Sequence, residues 1–238
     1  MVDSFAIEGN NLTRSFSGFY ALSGVNIAVP PGEVRGLIGP NGAGKSTLID
    51  VLSGGAARWS GTVKMFGNDV GSMSPQQRRR AGLARSFQRT NIFPDLTVIE
   101  QLEIAARAAE TPNVDEILTE LTLTPLAYKR AADTSYGDQR RLDLALALIG
   151  RPKILLLDEP AAGLSIKESL DLAHNLRDLA VRWSVTVLLV EHDMEVVFSI
   201  CDRITVLHLG KILAEGTPGE IRGIPAVITA YLGTTVTV

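Results

Sequence analysis

Apolar positions recur along the chain in two rhythms. Two stretches are apolar nearly without a break, Ile154 to Leu157 and Val185 to Val190, each ending in acids. Such runs predict strands buried on both faces. Short β-type runs also fall at Phe5-Ala6-Ile7, Val25 to Val29 and Val34 to Ile38, so residues 3 to 38 are expected to be largely β. Gly61 to Gly67 predicts a further strand, Leu83 to Phe87 another, and Ile204 to Ala214 a late hairpin. Elsewhere the period is helical. Leu96, Ile99, Leu102 and Ile104 have that spacing, as do Ile117, Leu118 and Leu121. Leu142 to Leu148, Ser169 to Arg182 and a short tail ending near Tyr231-Leu232-Gly233 also read as helix. Ser74-Pro75-Gln76-Gln77 starts a helix with a capping residue, a first-turn proline and a capping-box glutamine. The Arg78-Arg79-Arg80 run that follows is expected on its solvated face. Strands separated by helices predict an α/β fold, with a parallel sheet covered on both faces.

Composition narrows this reading only a little. A net charge of −3 supplies no basic field to recruit nucleic acid. The single cysteine, Cys201, cannot form an internal disulfide. No apolar run is long enough to cross a bilayer, and the first residues lack a basic-then-apolar leader pattern. A membrane role is therefore expected to come through a partner.

The chemistry concentrates at Gly39-Pro40-Asn41-Gly42-Ala43-Gly44-Lys45-Ser46-Thr47, which fits G-x-x-x-x-G-K-[ST] between a strand and a helix. Glycines let successive N–H groups point at one anion, and the helix start adds its positive end. Lys45 can reach the β- and γ-phosphates, and the Ser46 hydroxyl can ligate Mg²⁺. The acids after Leu157 are the second signal. Asp158 stands where open α/β sheets bind ligands and would hold Mg²⁺, directly or through water. Glu159 would act on the attacking water, as base or as orienting acceptor. The third signal is Ser135-Tyr136-Gly137-Asp138-Gln139. At the start of a helix, the Ser135 hydroxyl and the Gly137 N–H could form a second phosphate site. Two such sites make sense if two copies pair head to tail.

In these residues the chain resembles the nucleotide-binding subunit of an ATP-binding cassette (ABC) transporter, along essentially its whole length. The glycine loop resembles Walker A, with Gly39, Asn41, Gly42, Gly44, Lys45, Ser46 and Thr47 as nucleotide-binding candidates. Ile154 to Asp158 resembles Walker B, Glu159 the catalytic glutamate, Gln88 the Q-loop glutamine, residues 134 to 138 the signature and His192 the switch histidine. Phe16 matches the aromatic that stacks on adenine, with Phe19 and Tyr20 as competitors. The resemblance implies a single domain over 1–238: a P-loop NTPase core, an N-terminal antiparallel β subdomain and a helical subdomain inserted at about 89–135. It implies ATP and Mg²⁺, the metal near Ser46, Gln88 and Asp158. Gln88 would couple that contact to movement of the insert, and Phe93 with its neighbours would receive a permease helix.

Arg85 to Arg89, Asn91 to Glu100, Ser135 to Leu142, Asp158 to Leu164 and Glu191 to Met194 resemble the LivG type, from branched-chain amino acid importers. That implies permease subunits, a second ATPase, an indirect periplasmic binding protein and a peripheral place on the cytoplasmic face of the inner membrane. The closing Ala230-Tyr231-Leu232-Gly233 is shared with lipopolysaccharide-export ATPases, an alternative within transport. A soluble translation or repair cassette is the alternative outside it, though this chain has neither a second cassette nor a long coiled-coil insert. The pattern departs from the family at Thr134, Tyr136, Asp138, Leu146 and Ser165, and the insert after Gln88 is shorter than the LivG type leads one to expect.

Overall fold

The computed structural model describes residues 4–87 and 90–232. Gln88, Arg89 and Gly233 therefore lie outside the described residues. Strands β1 (Ile7–Phe16) and β2 (Phe19–Val29) form a hairpin closed by Ser17-Gly18, both at positive φ. β1 also pairs antiparallel with β4 (Ser60–Met65), which pairs with the short β5 (Asn68–Asp69), giving the order β2-β1-β4-β5. The expectation had only a short strand at residues 5 to 7. β1 is longer because register shifts between Gly9 and Ser15 let polar Asn10, Asn11, Thr13 and Arg14 continue the ladder.

The second sheet has the order β10-β9-β3-β8-β7-β6. Its strands are β3 (Val34–Ile38), β6 (Leu83–Arg85), β7 (Ile154–Asp158), β8 (Thr186–Val190), β9 (Arg203–His208) and β10 (Lys211–Gly216). All neighbours are parallel except the β9–β10 hairpin. The pleat divides the core in two. Leu37, Ile154, Leu156, Leu188 and Val190 pack toward the antiparallel sheet and α1 (Lys45–Ser53). Val34, Ile38, Leu155, Leu157, Val187 and Leu189 pack on the opposite face.

That opposite face is covered by α5 (Tyr136–Leu148), α6 (Ile166–Trp183) and α7 (Met194–Ile200). Helices α3 (Val98–Ala108) and α4 (Val114–Glu120) stand between β6 and β7, with 3-10 turns at Thr124–Leu126 and Ala131–Asp133. Their apolar side chains, Leu102 and Ile117 among them, belong to the same continuous core. α8 (Pro218–Arg222) and α9 (Pro225–Leu232) close the described chain. Capping boxes open α3 at Thr97/Glu100, α6 at Ser165/Glu168 and α8 at Thr217/Glu220. α2 (Pro75–Arg80) opens on the expected Ser74/Gln77 box.

Arg78 and Arg79 of α2 correct the expectation of a solvated face, which Arg80 keeps. Arg78 is 0% exposed and its Nη1 donates to Val51 O at 2.8 Å and Leu52 O at 2.7 Å, carbonyls at the end of α1. Arg79 donates to Ala147 O at 2.9 Å and to Ile149 O, at the end of α5. These cations add donors to carbonyls at the ends of two helices, Val51 O accepting from Gly54 N at 3.2 Å as well. No helix among the described residues is long and apolar enough to cross a membrane.

Candidate active site

The parallel strands β3, β7 and β8 end together, and their carboxyl ends gather the predicted residues. Gly39 leaves β3 where a Cβ would stand 2.1 Å from Leu207 O, and at Gly44 (φ +107) a Cβ would stand 2.3 Å from Ala21 O. Neither position accepts a side chain, so β9 and the β1–β2 hairpin fix the loop's path. Gly210 N donates to Ala43 O at 2.9 Å and ties the β9–β10 turn to it as well. Asn41 and Gly42 are exposed at the loop's crest, and Gly42 (φ +78) faces open space. A concave backbone with exposed amides is what an oxyanion needs.

Lys45, the first residue of α1, is 7% exposed. Its Nζ donates to Gly39 O at 2.6 Å and Pro40 O at 3.1 Å, so the ammonium lies folded onto the loop. Burial pushes its pKa down, opposed by the charges of Glu159 and Asp158. Both acids are thus within electrostatic reach of the lysine. Ser46 is exposed and Thr47 half-buried on the next positions of α1.

Asp158 ends β7 and is 4% exposed. Its Oδ1 is buried without a hydrogen-bond partner, and the Ser46 hydroxyl lies near enough to the carboxyl to hold its pKa down. Burial raises its pKa; Arg85, 3.8 Å away at Oδ2, lowers it. An orphaned carboxylate oxygen beside a hydroxyl suits a hard divalent cation. Among the described residues no cluster of three His, Cys, Asp or Glu forms a cage.

Glu159 leaves the strand at φ +53 and its N–H donates to Val190 O at 2.9 Å. The Asp158↔Val190 register places β8's end alongside, and Glu159 Oε1 contacts His192 Nε2 directly. Sequence reading had put both near the γ-phosphate without pairing them. The pair leaves the histidine 44% and the glutamate 15% exposed at the side chain.

Other sequence-selected residues stand as follows. Phe16 ends β1 and is 49% exposed, with the Arg14 guanidinium 4.5 Å from its ring centroid. Phe19 and Tyr20, at 60% and 57%, remain equally open to stacking. Ser135 caps α5: its hydroxyl accepts from Asp138 N at 3.2 Å and donates to Asp138 Oδ2 at 2.7 Å. Gly137, half-buried in the first turn, lies beside Glu168 and Leu164 of the next segment rather than beside the glycine loop. Phe93 is 63% exposed.

Three polar residues were missed. Arg85 bridges α1 and β7, donating to Asp50 Oδ1 at 2.7 Å and Ser53 Oγ at 3.1 Å. Buried Glu191 accepts from Ala161 N at 2.9 Å and His192 N at 3.1 Å, binding the end of β8 to the segment after Glu159. Burial pushes its pKa up against those two amides. Asp143 of α5 is buried on Ser86 and Asn91. A charge at the end of an apolar strand was the available signal for Arg85 and Glu191. Nothing local marked Asp143.

Compared with known proteins, residues 22–162 match the ABC transporter family model, and residues 211–237 match that of the branched-chain amino acid ATP-binding cassette transporter. The high-affinity branched-chain amino acid transport ATP-binding protein BraF of Pseudomonas aeruginosa is 39% identical over 248 aligned positions, covering 95% of this chain and 97% of that protein. LivG of Escherichia coli K12, of the same description, is 39% identical over 245 positions, covering 94% and 96%. Alignments longer than this 238-residue chain mean that the relatives carry residues with no counterpart here. The structure of the ADP conformation of MJ1267, an ATP-binding cassette of an ABC transporter, superposes with a TM-score of 0.85 at 30% identity, covering 96% of this chain and 99% of that one. A nucleotide-free ATP-binding cassette from an ABC transporter gives 0.87 at 29% identity, covering 95% and 98%. A sheet that ends in a phosphate loop, overlaid along nearly its full length on such cassettes, thus has one reading: this chain belongs to the ABC transporter family, as a nucleotide-binding ATPase.

Proposed function

We propose that the chain is the ATP-hydrolysing subunit of a bacterial importer for branched-chain or related amino acids. It works as one ATP-binding domain, with the helical segment at about 89–135 as its insertion. It sits peripherally on the cytoplasmic face of the inner membrane, bound to permease subunits and to a second cassette. A periplasmic binding protein delivers the cargo to the permeases. The match of residues 211–237 to a branched-chain amino acid cassette model and the names of the relatives support this cargo class over an exporter.

The observation that carries the chemistry is the Glu159–His192 contact beside Asp158 and Lys45. In the proposed scheme the phosphates of ATP take the amides of residues 39–47, and Lys45 turns from the loop carbonyls to the β- and γ-phosphates. Phe16 stacks on the base. Asp158 and Ser46 hold Mg²⁺, joined by Gln88; the metal, when bound, neutralises charge on the β- and γ-phosphates. Glu159 accepts a hydrogen bond or proton from the attacking water, and His192 holds Glu159 in place and meets the γ-phosphate. Ser135 and Gly137 serve the nucleotide of the second cassette.

Glu159→Gln keeps the shape and removes the charge and the proton acceptor. ATP binding should persist while turnover falls about a hundredfold or more. A steady-state ATPase assay with a separate nucleotide-binding measurement tests this, and turnover near the wild-type rate would refute the assignment.

A further inference from the structure

Helix α5 buries charge on a face where its position in the core calls for apolar side chains. Tyr136, Arg140 and Asp143 are spaced i, i+4, i+7 and share one stripe. Arg140 is 4% and Asp143 7% exposed.

Each side chain of the stripe grips backbone leaving the sheet. Tyr136 Oη donates to Ala162 O at 3.1 Å, and Arg140 Nη2 donates to the same carbonyl at 3.1 Å. Arg140 Nε donates to Tyr136 Oη at 3.1 Å, closing a triangle. Gly163 (φ +84) passes so close that a Cβ there would stand 2.9 Å from the tyrosine ring. This segment follows directly on Glu159, whose carbonyl accepts from Ala162 N at 3.2 Å. Asp143 does the same for the segment after β6. Its Oδ2 accepts from Ser86 Oγ at 2.7 Å and its Oδ1 from Asn91 N at 3.0 Å. Ser86 N in turn donates to Leu156 O at 3.0 Å, two residues before Asp158 on β7.

We propose that the Tyr136–Arg140–Asp143 stripe is a positioning device for ATP hydrolysis. It binds the helix whose first turn carries Ser135 and Gly137 to the backbone that sets the place of Glu159. Displacement of α5 is thereby transmitted to the carboxylate. The inference rests on the reading of Glu159 as the hydrolytic acceptor. A network that served folding alone would lower stability when cut and leave turnover per folded molecule unchanged.

Tyr136→Phe keeps the ring against Gly163 and removes both hydroxyl hydrogen bonds. Asp143→Asn keeps the shape and removes the charge. Each full-length variant is measured for ATP affinity, kcat and Tm beside wild type and Glu159→Gln. The expected result is a kcat lowered about tenfold, with ATP affinity within about twofold and, for Tyr136→Phe, Tm within about 2 °C of wild type. Arg140→Lys, which keeps the charge but not the fork to Ala162 O, should lose kcat similarly. If Asp143→Asn fails to fold, Tyr136→Phe decides alone. A folded Tyr136→Phe with wild-type kcat overturns the proposal, as does a loss of kcat matched by an equal loss of ATP affinity. Should Glu159→Gln hydrolyse normally, the underlying catalytic reading fails instead. An inactive Glu159→Gln beside a normal Tyr136→Phe confines the failure to the stripe.

Discussion

At the scale of the residue, Asp158 sets stability against function. Its Oδ1 is buried without a partner, and burial raises its pKa despite Arg85 and the Ser46 hydroxyl. A carboxyl raised in the folded state favours folding while protonated, and that contribution is lost as pH rises through the folded pKa. At neutral pH the ionised group therefore costs stability in the nucleotide-free protein. Asp158→Asn should raise the nucleotide-free Tm near neutral pH by about 2–4 °C, because it replaces a buried charge with a neutral amide of the same shape. The gain should shrink as pH is lowered and wild-type Asp158 takes up its proton. Thermal melts across a pH series, with ATPase rates alongside, check this; a lower Tm for Asp158→Asn near neutral pH would remove the argument. Asp158 itself was legible because an apolar run ends on it. The contact of Glu159 with His192 was not, because it depends on the Asp158↔Val190 register between strands far apart in sequence.

At the scale of the element, α1 is held at both ends by something other than its own sequence. Its start is fixed by Gly44 against Ala21 O, and its last carbonyls are held by Arg78 from α2. Arg78→Met keeps length and burial but leaves Val51 O and Leu52 O without this donor. We expect a loss of about 3 kcal/mol in urea unfolding, whereas exposed Arg80→Met should stay within about 0.5 kcal/mol. Equal effects at the two positions would show that the α1 carbonyls do not depend on Arg78. The sequence announced α2 through Ser74 and Gln77, because a capping box is local chemistry. It could not announce that the next arginine turns inward, because the acceptors it meets belong to another helix. β1 escaped for a related reason: bulges break the period-two alternation that identifies a strand. α7 escaped because seven residues, Met194–Ile200, are too few to establish a helical period. The parallel strands β7 and β8 were legible throughout, since burial on both faces leaves little but apolar residues.

At the scale of the whole molecule, the proposed scheme uses two helix starts, that of α1 for the chain's own nucleotide and that of α5 for the nucleotide of a second cassette. The start of α1 carries Lys45 within electrostatic reach of Asp158 and Glu159 at the end of β7. The start of α5 packs against the segment after β7, and its Ser135 hydroxyl is turned onto Asp138, which Arg141 also holds at 2.6 Å. Asp138 in that turn is a negative charge where a phosphate would approach, so in the proposed pair the energy of association would come mainly from the first site's nucleotide and from surface buried around it. Association should therefore require ATP to remain intact. We expect full-length Glu159→Gln to run as a dimer with ATP and as a monomer with ADP in light-scattering chromatography. Ser135→Arg, placed over the same helix start, should keep the doubly substituted protein monomeric while leaving ATP binding to the glycine loop unchanged. High salt should weaken the Asp138–Arg141 hold and change the dimer fraction only modestly, since a partly exposed pair contributes at most about 1 kcal/mol. If ATP-loaded Glu159→Gln stays monomeric up to high concentration, two identical copies do not complete each other's sites, and the α5 start must serve a different cassette.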